Sequence, residues 1–355
     1  MSILNLSTMK TKLKLYREIK ELKTKDLAQL TSIDQALISK FESGNRIPTK
    51  AQIVKLSEVL EIPLHEILPL WIKEKVLAEV REEPYALEGL MLAQEAVVPY
   101  GKKQFYSESL LKKLNIIDQL QKELNALRNY DSYRITQALE LEYTFESNRI
   151  EGNTLTLRET DLIVNEGLTV SGKSMREHLE AVNHQEAIEY IKQLVQKKIN
   201  INEREVLSIH NLILRGIQPE YAGRYRDIQV MIKGSEYMPP QPYLVKDEMN
   251  QYFDWYEKNK IHLHPVILAA EMHEKLVTIH PFIDGNGRTS RLIMNLILLS
   301  KGYVIANIKG DYEKRMAYYN ALEEIQTNHS KDAFHHFIAD VEIECLNRYL
   351  TILGA

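Results

Sequence analysis

The residues best suited to chemistry lie close together at residues 280–291, HPFIDGNGRTSR. An apolar helix is predicted to end at His280, because Pro281 prevents its continuation. The two glycines that follow allow a tight turn with exposed N–H groups, and a second helix is predicted to begin near Arg288. His280 is the group in this stretch that can take up a proton near neutral pH. The stretch therefore combines a base with a turn at a helix N-terminus.

An anion-binding site is predicted at the same turn, because backbone N–H groups at a helix N-terminus bind anions. Arg288 and Arg291 occupy neighbouring positions of one helical face, where their guanidinium groups can bind two phosphates. Asp284 is a hard oxygen ligand suited to the Mg²⁺ that accompanies ATP. The alternative is a plain turn between two helices, with a capping aspartate and a buried histidine. It does not explain why all these groups fall within 12 residues.

These residues resemble the signature of the Fic family, His-x-Phe-x-(Asp/Glu)-Gly-Asn-Gly-Arg-x-x-Arg, at every fixed position. Residues 223–234 (GRYRDIQVMIKG) and 238–242 (MPPQP) resemble the flap hairpin of that family and its lead-in. Residues 318–326 (YYNALEEIQ) resemble its downstream helix. The similarity extends over about residues 107–339.

Fic proteins are helical enzymes that transfer AMP from Mg-ATP to a Ser, Thr or Tyr hydroxyl of a protein target. The resemblance implies that His280 deprotonates the hydroxyl and that Asp284 holds Mg²⁺ or Mn²⁺. It also implies that residues 230–233 of the flap pair with an extended target segment. The residues expected to bind ATP are Asp284, Gly285, Asn286, Gly287, Arg288, Arg291, Val230, Ile232, Tyr318, Tyr319 and Gln326.

A second motif is found at residues 147–153, SNRIEGN, at the end of an amphipathic helix that Gly152 is predicted to stop. Glu151 stands near that helix end, where the dipole disfavours an acid. The stretch resembles the inhibitory motif (Ser/Thr)-x-x-x-Glu-(Gly/Asn) of Fic proteins, which implies inhibitory roles for Ser147, Glu151 and Gly152. Glu151 would pair with Arg291 and withhold it from ATP. A plain surface carboxylate, or one that positions water to remove AMP from a target, stays open.

The N-terminal segment at residues 22–48 resembles the lambda-repressor-like helix-turn-helix family, with Gly44 ending its third helix. Ser32 and Leu37 depart from the usual residues of that family. Between Met1 and Lys50 the 10 basic residues exceed the 5 acidic ones by 5, whereas the whole chain has a net charge of −4. This excess favours DNA over the alternative of protein docking. The residues expected to contact DNA are Lys25, Gln35, Ala36, Ser39, Lys40 and Arg46.

The remaining helical periodicity predicts an all-α chain with one small β-hairpin, because residues 226–232 alternate and are β-branched. We predict a five-helix DNA-binding bundle at residues 10–70, a helical connector at 71–106 and a Fic domain at 107–345. The inhibitory helix is expected at about residues 132–152. The other helices of the Fic domain are predicted at residues 110–128, 179–196, 203–214, 246–258, 265–279 and 288–300.

The composition bounds the class of protein. A single cysteine, Cys345, excludes a disulfide within the chain. Because no apolar stretch reaches the length of a membrane span, the cytoplasm is the expected location and a membrane is not an expected partner. The expected partners are a protein target and DNA, and a homodimer stays open. Two other functions also stay open, removal of AMP from a target and ATP sensing without transfer.

Overall fold

The computed structural model describes residues 8–81, 83–90, 92–93, 106–128, 133–232, 234–328 and 330–354. The chain divides into two compact units, one within residues 1–104 and the other within residues 105–355. No described helix combines the length and the apolar character that crossing a bilayer requires.

The described part of the N-terminal unit contains five helices through residue 80: α1 (Met9–Ile19), α2 (Thr24–Thr31), α3 (Gln35–Ser43), α4 (Lys50–Leu60) and α5 (Leu64–Val80). Local chemistry sets the bounds of α3. The Asp34 carboxylate accepts the N–H groups of Ala36 and Leu37, and Gly44 ends the helix with a φ of +79°. The turn before α3 contains Ser32 in the left-handed region, with a φ of +52°.

The boundary predicted at residues 70–71 falls inside α5, which continues to Val80. Trp71 is buried in the core of the N-terminal unit, where its indole N–H donates to the carbonyl oxygen of Pro48 at 2.7 Å. The limits proposed for the connector and for the domains remain predictions.

The second unit consists of longer helices: α6 (Glu108–Leu127), α7 (Tyr133–Ile150), α8 (Leu157–Val164), α9 (Met175–Gln196), α10 (Glu203–Leu214), α11 (Val245–Asn259), α12 (Pro265–Ile279), α13 (Asn286–Ser300), α14 (Tyr312–Asn328) and α15 (Asp332–Leu353). The predicted bounds of α10 and α12 are confirmed to the residue. The expected all-α class is also confirmed.

Helices α12 and α13 form the centre of this unit. They pack against each other, with α9 and α10 against α13 and with α11 and α15 against α12. Both helices are buried on most of their surface, and their buried residues include charged side chains such as Glu271, Arg288 and Arg291 as well as apolar ones. Because the segment between them, residues 280–285, joins two buried helices, its ends have fixed positions. Helix α7 packs against α9 and α13, which brings its C-terminus near this segment.

The predicted flap hairpin is wrong in its secondary structure. The described residues of 223–241 form a loop without a β-strand, closed by a bond from the Ser235 N–H to the Ile232 carbonyl oxygen at 3.2 Å. The opposing arm contains Pro239 and Pro240, which have no N–H to give to a ladder. Their carbonyl groups instead accept hydrogen bonds from the side chains of Gln229 and Arg226.

Candidate active site

His280 follows the last residue of α12 and adopts the left-handed conformation, with φ +51° and ψ +57°. Residues other than glycine rarely adopt this conformation. At His280 it turns the chain away from the axis of α12. The imidazole Nδ1 lies 3.2 Å from the carbonyl oxygen of Val277. Because a carbonyl only accepts, Nδ1 carries the hydrogen and Nε2 is the nitrogen that can accept a proton.

The environment of His280 keeps the ring neutral. Burial lowers the pKa of His280 below its ordinary value, and the charge of Arg226 acts in the same direction. The Val277 carbonyl and the carboxylates of Glu151 and Asp284 oppose this effect without reversing it. A neutral imidazole at pH 7 is the form that a general base requires.

The turn after His280 is closed by Asn286, the first residue of α13. Its side-chain amide accepts the N–H of Phe282 at 3.0 Å and donates to the Phe282 carbonyl oxygen at 2.9 Å. Gly285 has a φ of +77°, which favours glycine. The side chain of Asn286 is therefore committed to the loop. Only its backbone N–H, together with those of its neighbours at the helix N-terminus, remains to meet an anion.

Asp284 begins a series of ion pairs that continues through Arg176, Glu180 and Arg288. Its Oδ1 accepts the Gly285 N–H at 2.6 Å, and its Oδ2 accepts from Arg176 at 2.8 Å. Arg176 and Arg288 both pair with Glu180, at 3.1 and 3.3 Å. Burial would raise the pKa of Asp284, but Arg288, the Gly285 N–H and Arg176 together hold it below its usual value. Asp284 is thus an ionised carboxylate with about a third of its side chain exposed.

Arg291 is buried, and residues at the end of α7 occupy most of its guanidinium group. Its Nε donates to the Ser147 hydroxyl at 3.0 Å, and one terminal nitrogen donates to the Ser147 carbonyl oxygen at 2.9 Å. The same nitrogen lies 2.6 Å from a Glu151 carboxylate oxygen. Burial disfavours the charge of Arg291, yet Glu151 keeps its pKa above the ordinary value.

One donor group of Arg288 and one of Arg291 are left over. The second terminal nitrogen of Arg291 is buried without a hydrogen-bond partner among the described residues, and the same holds for Nε of Arg288. Because an unpaired buried donor costs free energy, such groups indicate a missing anion.

Glu151 reaches this corner from a hydrogen-bonded turn just beyond α7. The turn is made by the Glu151 N–H, which donates to the Asn148 carbonyl oxygen at 3.0 Å, and by Gly152 with a φ of +96°. A Cβ added at Gly287 would collide with the Glu151 carboxylate and lie 3.1 Å from Arg291. The carboxylate therefore lies directly against the N-terminal turn of α13.

A cavity of about 720 Å³ joins these groups. The predicted site residues that line it are Glu151, Gly152, Ile232, His280, Asp284, Gly287, Arg291, Tyr318, Tyr319 and Gln326. Gly285, Asn286 and Arg288 are placed behind this wall, and Ser147 contacts Arg291 from α7. Val230 is half-buried and is not part of the wall. Arg315, Asn320 and Glu323 also line the cavity and were not predicted.

Comparison with known proteins agrees with this geometry. The Fic/DOC family profile matches residues 200–298, and a helix-turn-helix profile matches residues 13–67. The chain contains a Fic domain.

Two relatives of the chain share the name protein adenylyltransferase Fic. A protein adenylyltransferase Fic from Nematostella vectensis is 40% identical over 212 residues, covering 59% of this chain and 48% of that protein. The protein of the same name from Drosophila melanogaster is 35% identical over 244 residues, covering 68% and 48%. The chain therefore spans about half the length of the curated relatives it matches.

Solved structures resemble the chain over most of its length. Fic-1 (aa134–508) from C. elegans superposes with a TM-score of 0.62 at 26% identity, covering 93% of this chain and 96% of that one. A Fic domain containing signaling protein from Bacteroides thetaiotaomicron has a TM-score of 0.60 at 27% identity, covering 67% and 97%.

Arg226 connects the described residues of 223–241, called the flap, to residues 280–286, called the signature loop, and was not predicted. Its Nε donates to the His280 carbonyl oxygen at 2.8 Å, and its terminal nitrogens donate to the carbonyl oxygens of Ile228 and Pro240. The Arg226 N–H donates to the Pro281 carbonyl oxygen at 2.9 Å. Only its position in the flap motif could have drawn attention to it, since its partners lie up to 55 residues away in the sequence.

The predicted DNA-contacting residues all lie on the surface of the N-terminal unit. Gln35, Ala36, Ser39 and Lys40 are exposed along α3, while Ile38 and Phe41 of the same helix are buried in the core. Lys25 on α2 and Arg46 after α3 are exposed as well. Helix α3 thus presents a polar face that can enter a groove of DNA.

Proposed function

We propose that the Fic domain transfers AMP from ATP to a hydroxyl group of a protein side chain, under restraint by Glu151. One observation carries the proposal above all. His280, Asp284 and Arg291 converge on one cavity, where a buried guanidinium nitrogen of Arg291 has no partner among the described residues. The names of the relatives support the same reaction.

We place the nucleotide in the cavity with its phosphates at the start of α13. The N–H groups at the start of α13 and the free donor of Arg291 suit the phosphates. Tyr318 and Gln326 are nearly buried on α14 and suit the adenosine. In this orientation the α-phosphate lies near His280. ATP is then a substrate, and its phosphates supply the anion that the orphaned donors require.

The donor set also suits a magnesium ion. Asp284 is ionised and faces the cavity. The described part of the chain contains no group of three or more potential metal ligands, so an ion at Asp284 would take its other ligands from the nucleotide and water. Mg²⁺ is commonly bound by one or two carboxylates, together with substrate phosphates and water. When bound, the ion would neutralise negative charge on the phosphates of ATP. Asp284 would hold it.

The reaction needs one proton acceptor and a fixed phosphate. His280 takes the proton of the incoming hydroxyl on Nε2, the hydroxyl oxygen forms a bond to the α-phosphorus, and pyrophosphate leaves with the electrons of the broken bond. Phosphoryl-group transfer of this kind depends on positioning and charge stabilisation more than on covalent help. The buried loop and its glycine turn provide both.

Glu151 restrains this reaction by competing with ATP for Arg291. The carboxylate occupies one guanidinium nitrogen at 2.6 Å and lies against Gly287, where the phosphates would bind. Two negative groups cannot share this position without a large cost in a poorly solvated site. Glu151 must therefore move before ATP binds productively.

Labelled ATP with Mg²⁺ tests the proposal. We expect Glu151→Gly to raise self-labelling at least tenfold, because Arg291 and the space beside Gly287 become free. Glu142→Gln is the control, since Glu142 is an ion-paired carboxylate of α7 that pairs with Arg348 outside the cavity. Unchanged labelling in Glu151→Gly would remove the restraint but leave the enzyme.

The enzyme itself is tested by His280→Ala in the Glu151→Gly background. We expect labelling to fall by about a hundredfold or more, because the general base is lost. His264→Ala is the matched control, because His264 lies at the opposite end of α12. Equal labelling by the His280→Ala variant would contradict transfer at this site.

We also infer that the N-terminal unit binds DNA through α3. The exposed polar face of α3 and the basic excess of the first 50 residues support this. A gel shift with the upstream region of the gene tests it. We expect Lys40→Glu to abolish the shift and Lys55→Glu, on the exposed face of α4, to preserve it. Loss of binding in both variants, or in neither, would contradict contact through α3.

A further inference from the structure

A buried histidine, His210, lies directly behind the signature loop at residues 280–286. His210 on α10 is fully buried, and both of its ring nitrogens bind backbone groups. Nδ1 accepts the Gly223 N–H at 3.0 Å, and Nε2 donates to the Asp284 carbonyl oxygen at 2.9 Å. Since an N–H only donates and a carbonyl only accepts, the ring is neutral and carries its hydrogen on Nε2.

The ring also supports the loop by packing. It stacks on Phe282, with ring centroids 3.6 Å apart and planes 6° apart. A Cβ at Gly285 would lie 3.4 Å from the ring. His210 therefore contacts the loop at Phe282, Asp284 and Gly285, without lining the cavity.

The bond to Asp284 has a consequence for the carboxylate. The carbonyl of Asp284 and the N–H of Gly285 belong to one planar peptide group and point in opposite directions. Fixing the carbonyl on His210 therefore aims the Gly285 N–H, and this N–H donates to the Asp284 carboxylate at 2.6 Å. One bond behind the loop thus sets the orientation of both an N–H group and the carboxylate that faces the cavity.

We propose that His210 is a positioning residue for AMP transfer, which holds the Asp284–Gly285 peptide in the orientation that nucleotide binding requires. The proposal rests on the proposed function. His210 touches neither ATP nor the target and acts only through the loop. Its second bond, to the Gly223 N–H, holds the start of the flap to the same ring. The opposing view is that His210 only fills the core, in which case any residue of similar shape would serve.

Three substitutions separate these views, all in the Glu151→Gly background. His210→Phe keeps the stacking on Phe282 and removes both hydrogen bonds. His210→Gln keeps a donor near the position of Nε2, and His210→Asn keeps an acceptor near the position of Nδ1. The measurements are the AMP-transfer rate per folded molecule and the dissociation constant of Mg-ATP.

We expect His210→Phe and His210→Asn to lower the transfer rate by about tenfold to a hundredfold, because the donor to the Asp284 carbonyl is lost. His210→Gln should retain a rate within about fivefold of the parent, and it should bind Mg-ATP more tightly than His210→Asn. If His210→Phe does not fold, the comparison of Gln with Asn decides by itself. Equal behaviour of the Gln and Asn variants would overturn the proposal.

His264→Phe is the matched control. His264 also accepts a backbone N–H on Nδ1, from Val266 at 3.2 Å, and bonds through Nε2 to Asp118 at 3.0 Å. It lies about 24 Å from His280 along α12. We expect lower stability but an unchanged transfer rate per folded molecule. If the parent transfers no AMP, the proposed function fails, and the dissociation constants of Mg-ATP still decide the role of His210.

Discussion

The signature loop and the flap lie beside the same cavity, but they are held in different ways. Besides the bonds from His210 and Arg176 behind it, the loop is held by short-range bonds of its own. Asn286 binds the backbone of Phe282, His280 binds Val277, and every one of these bonds joins residues at most four apart. The flap is held by bonds to the loop, because Arg226 donates to the carbonyl oxygen of His280 and its own N–H donates to that of Pro281. A further bond joins Arg226 to the carbonyl oxygen of Pro240 within the flap.

This difference implies a one-way dependence. A loop held by its own bonds and by His210 and Arg176 should keep its shape when the flap is disturbed, whereas the flap loses its anchor when the loop is disturbed. Under the proposed function, nucleotide binding depends on the loop, and presentation of the protein target depends on the flap. Substitutions in the two regions should therefore have different signatures, and the first two predictions test this.

The largest effect is expected for Asn286→Ala in the loop, again in the Glu151→Gly background. Loss of two buried hydrogen bonds costs about 2–5 kcal/mol, and the loop opens. We expect the transfer rate to fall by about a hundredfold or more and Mg-ATP to bind more weakly. Titration calorimetry and labelled ATP measure both.

The control for Asn286→Ala lies on the same helix. The Asn295 amide accepts the Ala306 N–H at 2.8 Å and donates to the Ala306 carbonyl oxygen at 3.3 Å, so its bonding matches that of Asn286. Asn295→Ala should lower the melting temperature while leaving the rate per folded molecule unchanged. Equal loss of rate in the two variants would mean that only general stability was measured.

A smaller and more selective effect is expected for Arg226→Lys. A lysine cannot reproduce the fan of bonds from Nε and both terminal nitrogens, so the flap loses its anchor. We expect about a tenfold loss of transfer to a protein target and an unchanged dissociation constant for Mg-ATP. Arg224→Lys, at an exposed neighbouring position, should change neither quantity. Weaker ATP binding in Arg226→Lys would refute the one-way dependence.

The pH profile of transfer gives a moderate effect that reports on His280 in the loop. Burial lowers the pKa of His280 below 6.5, so the competent neutral form persists at pH 7 and is lost as the pH falls through that pKa. Since the Glu151 carboxylate raises the pKa of His280, the midpoint should move to lower pH in Glu151→Gly. A midpoint above pH 6.5 in that variant would contradict this account.

The smallest effect is expected in the N-terminal unit, where another local turn can be tested. Ser32 has a φ of +52°, which disfavours any residue with a Cβ. Ser32→Gly should therefore stabilise the unit by about 0.5–1 kcal/mol, measured by thermal unfolding. Lys55→Gly, inside α4, should destabilise it by about 1 kcal/mol. A loss of stability in Ser32→Gly would show that the backbone strain is compensated elsewhere.

The parts of the molecule that local chemistry determines were predictable from the sequence. Helix α3 begins after Asp34 and ends before Gly44 where expected. Helix α12 stops at Ile279, before His280 and Pro281. The turn between α12 and α13 brings base, carboxylate and arginine together because three of its residues make their own hydrogen bonds within it. Predicting the shape of this turn therefore required no knowledge of contacts between residues distant in the sequence.

The parts that depend on distant contacts were not predictable. Arg176, His210 and Arg226 bind loop atoms that lie 54 to 108 residues away, and no local pattern marks them. The alternation of residues 226–232 predicted a strand, but two prolines opposite remove the N–H groups that a ladder needs. The helix predicted at about residues 132–152 does run to Ile150, which places Glu151 at Arg291.

Under the proposed function, Gly287 links the restraint by Glu151 and the transfer activity in a way that limits how this protein can evolve. Any side chain there would push against the Glu151 carboxylate and, with that carboxylate gone, would fill the space expected for the phosphates. A change at this position therefore cannot release the enzyme, because it disables the enzyme in the same step. Constitutively active descendants must arise by changes on the α7 side of the contact, at Glu151 or the residues that carry it.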